Sequence, residues 1–175
     1  WRYVREQKII DVTESQIEKG QKVGKTILVG LQPIENSLPA FFIEALKSFT
    51  GLRIWIRPHP HQRYQKETIR ATLESMGLRN FSIRDDKDLY DEFSSIDVLV
   101  TAFSTVATEA KESNIPVILT HENAPVAFGD EIDNERIFYC QDEKSSREIL
   151  ENLLSKKRQV SPSINYKIEK MLRCF

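Results

Sequence analysis

The stretch Asp97–Thr120, DVLVTAFSTVATEAKESNIPVILT, reads as strand, tight turn, helix, strand. Asp97–Thr101 and Pro116–Thr120 are short apolar runs rich in Val, Leu and Ile. Runs of this kind suit strands covered on both faces, as in a parallel sheet. Between them, Phe103-Ser104-Thr105 opens a helix expected to end near Asn114, just before Pro116. A Ser-Thr pair at such a start leaves free backbone N–H groups at the carboxyl edge of a sheet, where a phosphate group is readily held.

Working outward, 175 residues at 40% hydrophobic content suffice to bury a full core, expected as one domain. A net charge of -1, with both signs spread along the chain, gives no electrostatic reason to expect a nucleic-acid partner. The two cysteines, Cys140 and Cys174, form no metal or redox motif and point to a reducing compartment. No apolar run reaches the roughly 18 residues needed to span a membrane. The opening WRYVREQ has neither an initiator Met nor a signal-like apolar segment. The chain is therefore expected to be a fragment of a longer protein.

Along the chain, residues 1–25 read as a polar linker with a helix around Glu14–Lys19. The main domain is expected over 26–158, and a C-terminal helical segment over 159–175, with its helix at Ser163–Arg173. Strands are expected at Thr26–Leu31, Leu52–Arg57, Phe81–Arg84, Asp97–Thr101, Pro116–Thr120 and Arg136–Cys140. Helices are expected from Ser37-Leu38-Pro39 to about Phe49, at Gln65–Met76 closed by Gly77, at Leu89–Ser95, after Ser104-Thr105, and at Ser145–Ser155. His121–Glu135 reads as a long polar loop. Strands alternating with helices predict an α/β class: a doubly wound, Rossmann-like parallel sheet of about six strands with helices on both faces. The expected order is 3-2-1-4-5-6, with a ligand crevice at the switch between strands one and four. In that order the turns Gln32–Asn36, Pro58–His61 and Ala102–Thr105 converge on one edge.

These turns carry the candidate residues. Two prolines flank His59 and stiffen it, so its ring N–H can meet a phosphate oxygen at little entropic cost; the plainer reading is a rigid surface loop. Arg57 and His61 are weaker candidates, and Arg57 could pair with a carboxylate. Ser104 or Thr105 could simply cap the helix, but the Glu or Gln of a capping box is replaced by Ala107 and Thr108. Glu109, one turn inside the helix, could accept hydrogen bonds from ribose hydroxyls, or it could be a solvated acid or a partner of Lys111 or Arg57. Gln32 could bond a sugar or base, or be a polar turn residue. There is no G-x-G-x-x-G, P-loop, G-x-S-x-G or metal-spaced His/Cys pattern, so dinucleotide, ATP-hydrolase and metal readings are disfavoured.

Leu31-Gln32, Arg57-Pro58-His59-Pro60, Ser104-Thr105, Glu109-Ala110 and Pro116-Val117 together resemble the donor-binding half of GT-B glycosyltransferases. The resemblance spans roughly Thr26–Cys140 and is closest to bacterial capsule and surface-polysaccharide transferases, including polysialyl- and polyglycerol-phosphate transferases. One departure is that the family's Gly before the Pro is replaced by Asn114-Ile115. The resemblance implies a donor phosphate held by His59 and Ser104-Thr105, with Gln32 nearby, and a ribose held by Glu109. It implies transfer from a CMP-, CDP- or UDP-linked sugar, with no cofactor and no metal. The catalytic base and most acceptor contacts would lie in a missing N-terminal half, so this fragment alone is expected to be inactive. The expected location is cytoplasmic, with membrane association confined to a peripheral contact of the full-length protein at the inner face. Two rivals stand beside this reading: a GT-B-shaped nucleotide-sugar 2-epimerase, and a non-catalytic α/β interaction module. A receiver-like module fits poorly, because the acids Asp85, Asp86 and Asp88 follow strand three.

Overall fold

The computed structural model describes residues 24–86 and 88–156. The expected linker except Gly24 and Lys25, the helices at Glu14–Lys19 and Ser163–Arg173, and Cys174 lie outside the described residues. Six strands, β1 (Thr26–Gly30), β2 (Arg53–Arg57), β3 (Phe81–Ile83), β4 (Val98–Thr101), β5 (Val117–Leu119) and β6 (Ile137–Tyr139), form one sheet. All neighbouring pairs are parallel, and the order is β3-β2-β1-β4-β5-β6, as the alternation of strands and helices predicts.

The helices are α1 (Ala40–Lys47), α2 (Lys66–Ser75), α3 (Leu89–Phe93), α4 (Val106–Glu112), α5 (Ala124–Phe128) and α6 (Glu143–Ser155). Side chains alternate across each strand, so one run of apolar residues serves two cores. Ile27, Val29, Val98, Val100 and Ile118 point to one face, against Phe42 and Leu46 of α1, Leu73 of α2, and Leu150 and Leu153 of α6. Leu28, Leu99, Val117 and Leu119 point to the other, against Phe93 of α3, Ala107 and Ala110 of α4, and Ala124 and Phe128 of α5. This double covering explains why β1, β4 and β5 lack polar alternation. Among the described residues, no helix is long and apolar enough to cross a membrane.

Several boundaries differ from expectation for identifiable reasons. Ser37 does not start α1; its hydroxyl accepts a hydrogen bond from the Gln32 N–H at 2.7 Å and closes the turn after β1. The helix begins instead at Ala40, behind the fixed φ of Pro39. A 3-10 turn at Pro60–Gln65 precedes α2. The segment His121–Glu135 is not a plain loop: it contains α5 and a 3-10 turn at Gly129–Glu131. Ala124 and Phe128, four residues apart, are buried and hold α5 to the sheet. α6 starts two residues before Ser145, because Asp142 accepts from the Ser145 N–H at 2.7 Å and acts as the cap.

α2 and α4 end in the same way. At α2, Gly77 has φ 85°, with Leu78 N–H bonded to Leu73 C=O and Gly77 N–H to Glu74 C=O. At α4, Asn114 has φ 65°, with Ile115 N–H bonded to Ala110 C=O and Asn114 N–H to Lys111 C=O. Both are Schellman motifs, and Asn is the residue after Gly that best tolerates the left-handed conformation. The departure at Asn114-Ile115 thus keeps the backbone turn. Cys140 is buried, and burial pushes its thiol up to about 11, so it packs as an apolar group.

The Asp133 carboxylate accepts N–H bonds from Glu135, Arg136 and Ile137 at 2.7–3.0 Å and faces Lys111 Nζ at 3.2 Å. Slight burial opposes its charge, but these bonds outweigh it and hold the carboxyl well below the usual carboxylate range. Its folded-state pKa is therefore depressed, so its stabilisation is present at neutral pH and lost as pH falls below about 4. Asp133→Ala is expected to be less stable than the parent at pH 7 in urea unfolding, with the difference shrinking at pH 3 and below. In the same assay, Asn114→Gly is expected to match or exceed the parent, whereas Asn114→Val is expected to lose about 1–2 kcal/mol.

Candidate functional site

The carboxyl edge of the sheet brings the predicted turns together. Gly30 is in register with Arg57 of β2 on one side and Thr101 of β4 on the other. The chain therefore leaves β1, β2 and β4 at one level, with β2 and β4 about 10 Å apart on either side of β1. His59 and Ser104 follow β2 and β4 by two and three residues and lie on the same edge.

Gln32 joins two of the turns. Its side-chain Oε1 accepts the Phe103 N–H at 2.8 Å, so the turn after β1 is bonded to the turn after β4. The carbonyl of Gln32 therefore has a structural task, and its amide group is what it can offer to a ligand.

His59 sits at the head of the Pro60–Gln65 turn, with φ -59° and ψ 147°. Its Nδ1 accepts the His61 N–H at 3.3 Å. In the neutral ring this leaves the proton on Nε2, which is then a hydrogen-bond donor. The His61 ring packs edge-on at 5.0 Å and further limits rotation. Pro58 is buried and anchors the turn to the body of the domain.

At the third turn, regular helix begins at Val106, not at Phe103. Thr105 makes no side-chain cap, and the Ser104 hydroxyl reaches the Val106 N–H only at 3.4 Å. Among the described residues, no group accepts a hydrogen bond from the Ser104 or Thr105 N–H. The two hydroxyls and two amides are thus available at the rim. Glu109 is half-buried and pairs with neither Lys111 nor Arg57. Its Oε2 accepts the Tyr90 hydroxyl at 2.7 Å, while Lys111 lies against Asp133.

Arg57 does pair with a carboxylate, as one reading of its position expects. Its Nη1 is 2.8 Å from Glu92 Oε2, and Arg84 Nε is 3.3 Å from Glu92 Oε1. The Glu92 side chain is 1% exposed. Arg84 in turn lies 4.3 Å over the Trp55 ring. A carboxylate this deep is stable only because two guanidiniums compensate it. The cluster holds the carboxyl ends of β2 and β3 against α3 and so sets the direction in which the Pro58-His59 turn leaves the sheet.

Three residues outside the predicted set lie at or beside the rim: Tyr90, Glu92 and His121. His121 follows β5 on the same rim, with its ring 5.0 Å from Phe103 and its Nδ1 accepting the Asn123 N–H at 3.1 Å. Its signal was available: like His59, it is a histidine directly after an apolar strand run. Tyr90 and Glu92 carried no local signal: Tyr90 meets Glu109, 19 residues away, and Glu92 meets Arg84 and Arg57, 8 and 35 residues away. Among the described residues, no group of three or more His, Cys, Asp or Glu side chains is gathered to hold a metal ion. Removing the buried carboxylate with Glu92→Ala is expected to cost about 2–3 kcal/mol in urea unfolding.

No family model and no curated protein matches the chain. Solved structures do. The C-terminal domain of the glycosyl transferase group 1 family protein LpcC from Francisella tularensis aligns with TM-score 0.54 and 21% identity over 82% of each chain. The C-terminal CMP-Kdo binding domain of WaaA from Acinetobacter baumannii aligns with TM-score 0.51 and 16% identity over 81% of this chain and 83% of that one. The UDP co-structure of MnaA from S. aureus aligns with TM-score 0.56 and 14% identity over 83% of this chain and 40% of the longer protein. At these identities the likeness is one of fold: the chain shares the six-stranded, doubly wound α/β fold of these domains.

Proposed function

We propose that this chain is the donor-binding domain of a GT-B glycosyltransferase and takes a nucleotide-activated sugar. The observation that carries the reading is the meeting of the His59 turn and the Ser104-Thr105 turn on either side of β1, with unpaired donors on each. Parallel α/β sheets bind ligands at this switch point. The structural likeness to a CMP-Kdo binding domain and to a protein bound to UDP supports it.

In this reading, His59 Nε2–H and the Ser104 and Thr105 amides and hydroxyls hold the donor phosphate. The Gln32 amide group lies beside them, and Glu109 accepts the ribose hydroxyls. In the reaction an acceptor oxygen attacks the anomeric carbon, and the bond from that carbon to the phosphate oxygen breaks. The electron pair leaves on the phosphate, where donors already in place stabilise the added charge. The acceptor proton goes to a base outside this chain, on a companion N-terminal domain that also carries most acceptor contacts. This domain alone therefore binds nucleotide weakly and turns nothing over.

The resemblance to capsule transferases extends the proposal to the making of a bacterial surface polysaccharide from a CMP-, CDP- or UDP-linked donor. A cytoplasmic location accompanies that donor class, with the whole enzyme meeting the membrane peripherally. The domain needs no cofactor or metal in this scheme, because His59 and backbone donors carry the phosphate.

CMP, CDP, UMP and UDP are the probes. A ligand at ten times its Kd adds about 1.4 kcal/mol to stability, which raises the melting temperature by roughly 5 °C. At least one of the four is expected to do so at millimolar concentration, and His59→Ala is expected to remove the shift while leaving the unliganded melting temperature unchanged. No shift with any of the four contradicts the donor site, and a full shift in His59→Ala reduces His59 to a loop residue.

A further inference from the structure

α3 is five residues long, yet it reaches both sides of the candidate site. Glu92 on its buried face holds Arg57 and Arg84 at the ends of β2 and β3, while Tyr90 on its outer face reaches Glu109 on α4. The Tyr90 side chain is 61% exposed but not loosely placed. Its ring meets the buried Phe93 ring edge-on at 5.7 Å, and its N–H donates to the capping Asp88 carboxylate at 2.9 Å.

An exposed phenol has water available and needs no protein partner. Here it donates to a carboxylate, and the hydrogen bond and charge of Glu109 raise its pKa, so at neutral pH the hydroxyl keeps its proton. The competitors for Glu109 are occupied: Lys111 by Asp133, and Arg57 by Glu92. Among the described residues, Tyr90 is therefore the one hydrogen-bond partner of the Glu109 carboxylate. A carboxylate has about four acceptor sites on two oxygens. Tyr90 takes one site on Oε2 and leaves Oε1 without a partner among the described residues.

We infer that Tyr90 is a positioning residue that holds Glu109 in one rotamer, so that its free oxygen meets the ribose diol of the nucleotide. The inference rests on the ribose role given to Glu109 in the proposed function. Tyr90 touches no substrate in this account; it removes side-chain freedom that Glu109 would otherwise lose on binding. Its effect is thus specific to ligands that carry ribose hydroxyls, which a merely structural role would not produce.

The test measures Kd by calorimetry for CDP, UDP and their 2′,3′-dideoxy counterparts, with the parent chain, Tyr90→Phe and Glu109→Gln. The parent and Tyr90→Phe are expected to melt at the same temperature, because Phe keeps the ring contact with Phe93. The parent is expected to prefer the ribonucleotide, and Glu109→Gln to reduce that preference. Tyr90→Phe is expected to weaken ribonucleotide binding by about 3- to 10-fold and to leave the dideoxy Kd unchanged. A ribose preference lost in Glu109→Gln but intact in Tyr90→Phe overturns this inference alone, as does an equal loss of both ligands in Tyr90→Phe. A parent chain that binds none of the four, or a Glu109→Gln variant with full ribose preference, overturns the ribose role of Glu109 and this inference with it.

Discussion

The pairing of β1 with β4 is the constraint on which the rest of the molecule depends. Here the sheet reverses its direction of growth, with β2 and β3 added on one side and β5 and β6 on the other. The pair is bonded by side chains at both ends. At the amino end, Asp97 accepts the Thr26 N–H at 2.8 Å and faces Lys25 Nζ at 3.1 Å. At the carboxyl end, the Thr101 hydroxyl donates to Gly30 C=O at 3.1 Å, and Gln32 Oε1 accepts the Phe103 N–H. Main-chain pairing alone would tolerate a slip along two apolar strands; these fixed side-chain partners do not. Register at the switch decides which turns share an edge, and so it decides the candidate site.

From that constraint the rim assembles with little further cost. β2 and β4 flank β1, so the chain leaving each of them meets the exit of β1. Each exit is then stiffened locally: prolines around His59, the Gln32 to Phe103 bond, and the 3-10 turn at Pro60–Gln65. α3 adds a second layer, with a buried ion cluster on one side and a tyrosine on the other. The long β3 to β4 crossover therefore does more than change sides of the sheet. It fixes the direction of the His59 turn through Arg57 and the position of Glu109 through Tyr90.

The strands and their order were legible because burial on both faces leaves a continuous apolar signature, and β1, β4 and β5 each show it. The edge on which the three candidate turns meet was legible too, since topology alone gathers them. Short helices were not. α5 is held by little more than Ala124 and Phe128, and five residues are too few to show a helical period. A hydroxyl before an apolar run, as at Ser37, suits a cap and a turn equally, and only the fold shows that it serves Gln32. The place of Glu109 one turn inside its helix is legible from spacing, but its partner is not. The bond from Tyr90 crosses from α3 to α4, and nothing local to either residue announces it. Glu92 shows the same limit from the other side, as an acid in a polar sequence neighbourhood that the fold buries between two arginines.

The proposed donor site puts a nucleotide across the switch point, with its phosphate between two turns. The most direct measurement is a backbone-amide NMR titration of the chain with UDP and CDP. The account predicts that the largest shift changes fall on His59, His61 and Phe103 through Val106, with the β2 and β3 amino ends unmoved. The opposite edge carries a shallow groove of about 480 Å³ lined by Leu52, Trp55, Arg79 and Phe81. Changes concentrated on those residues, with the amides of Ser104 and Thr105 silent, would contradict it.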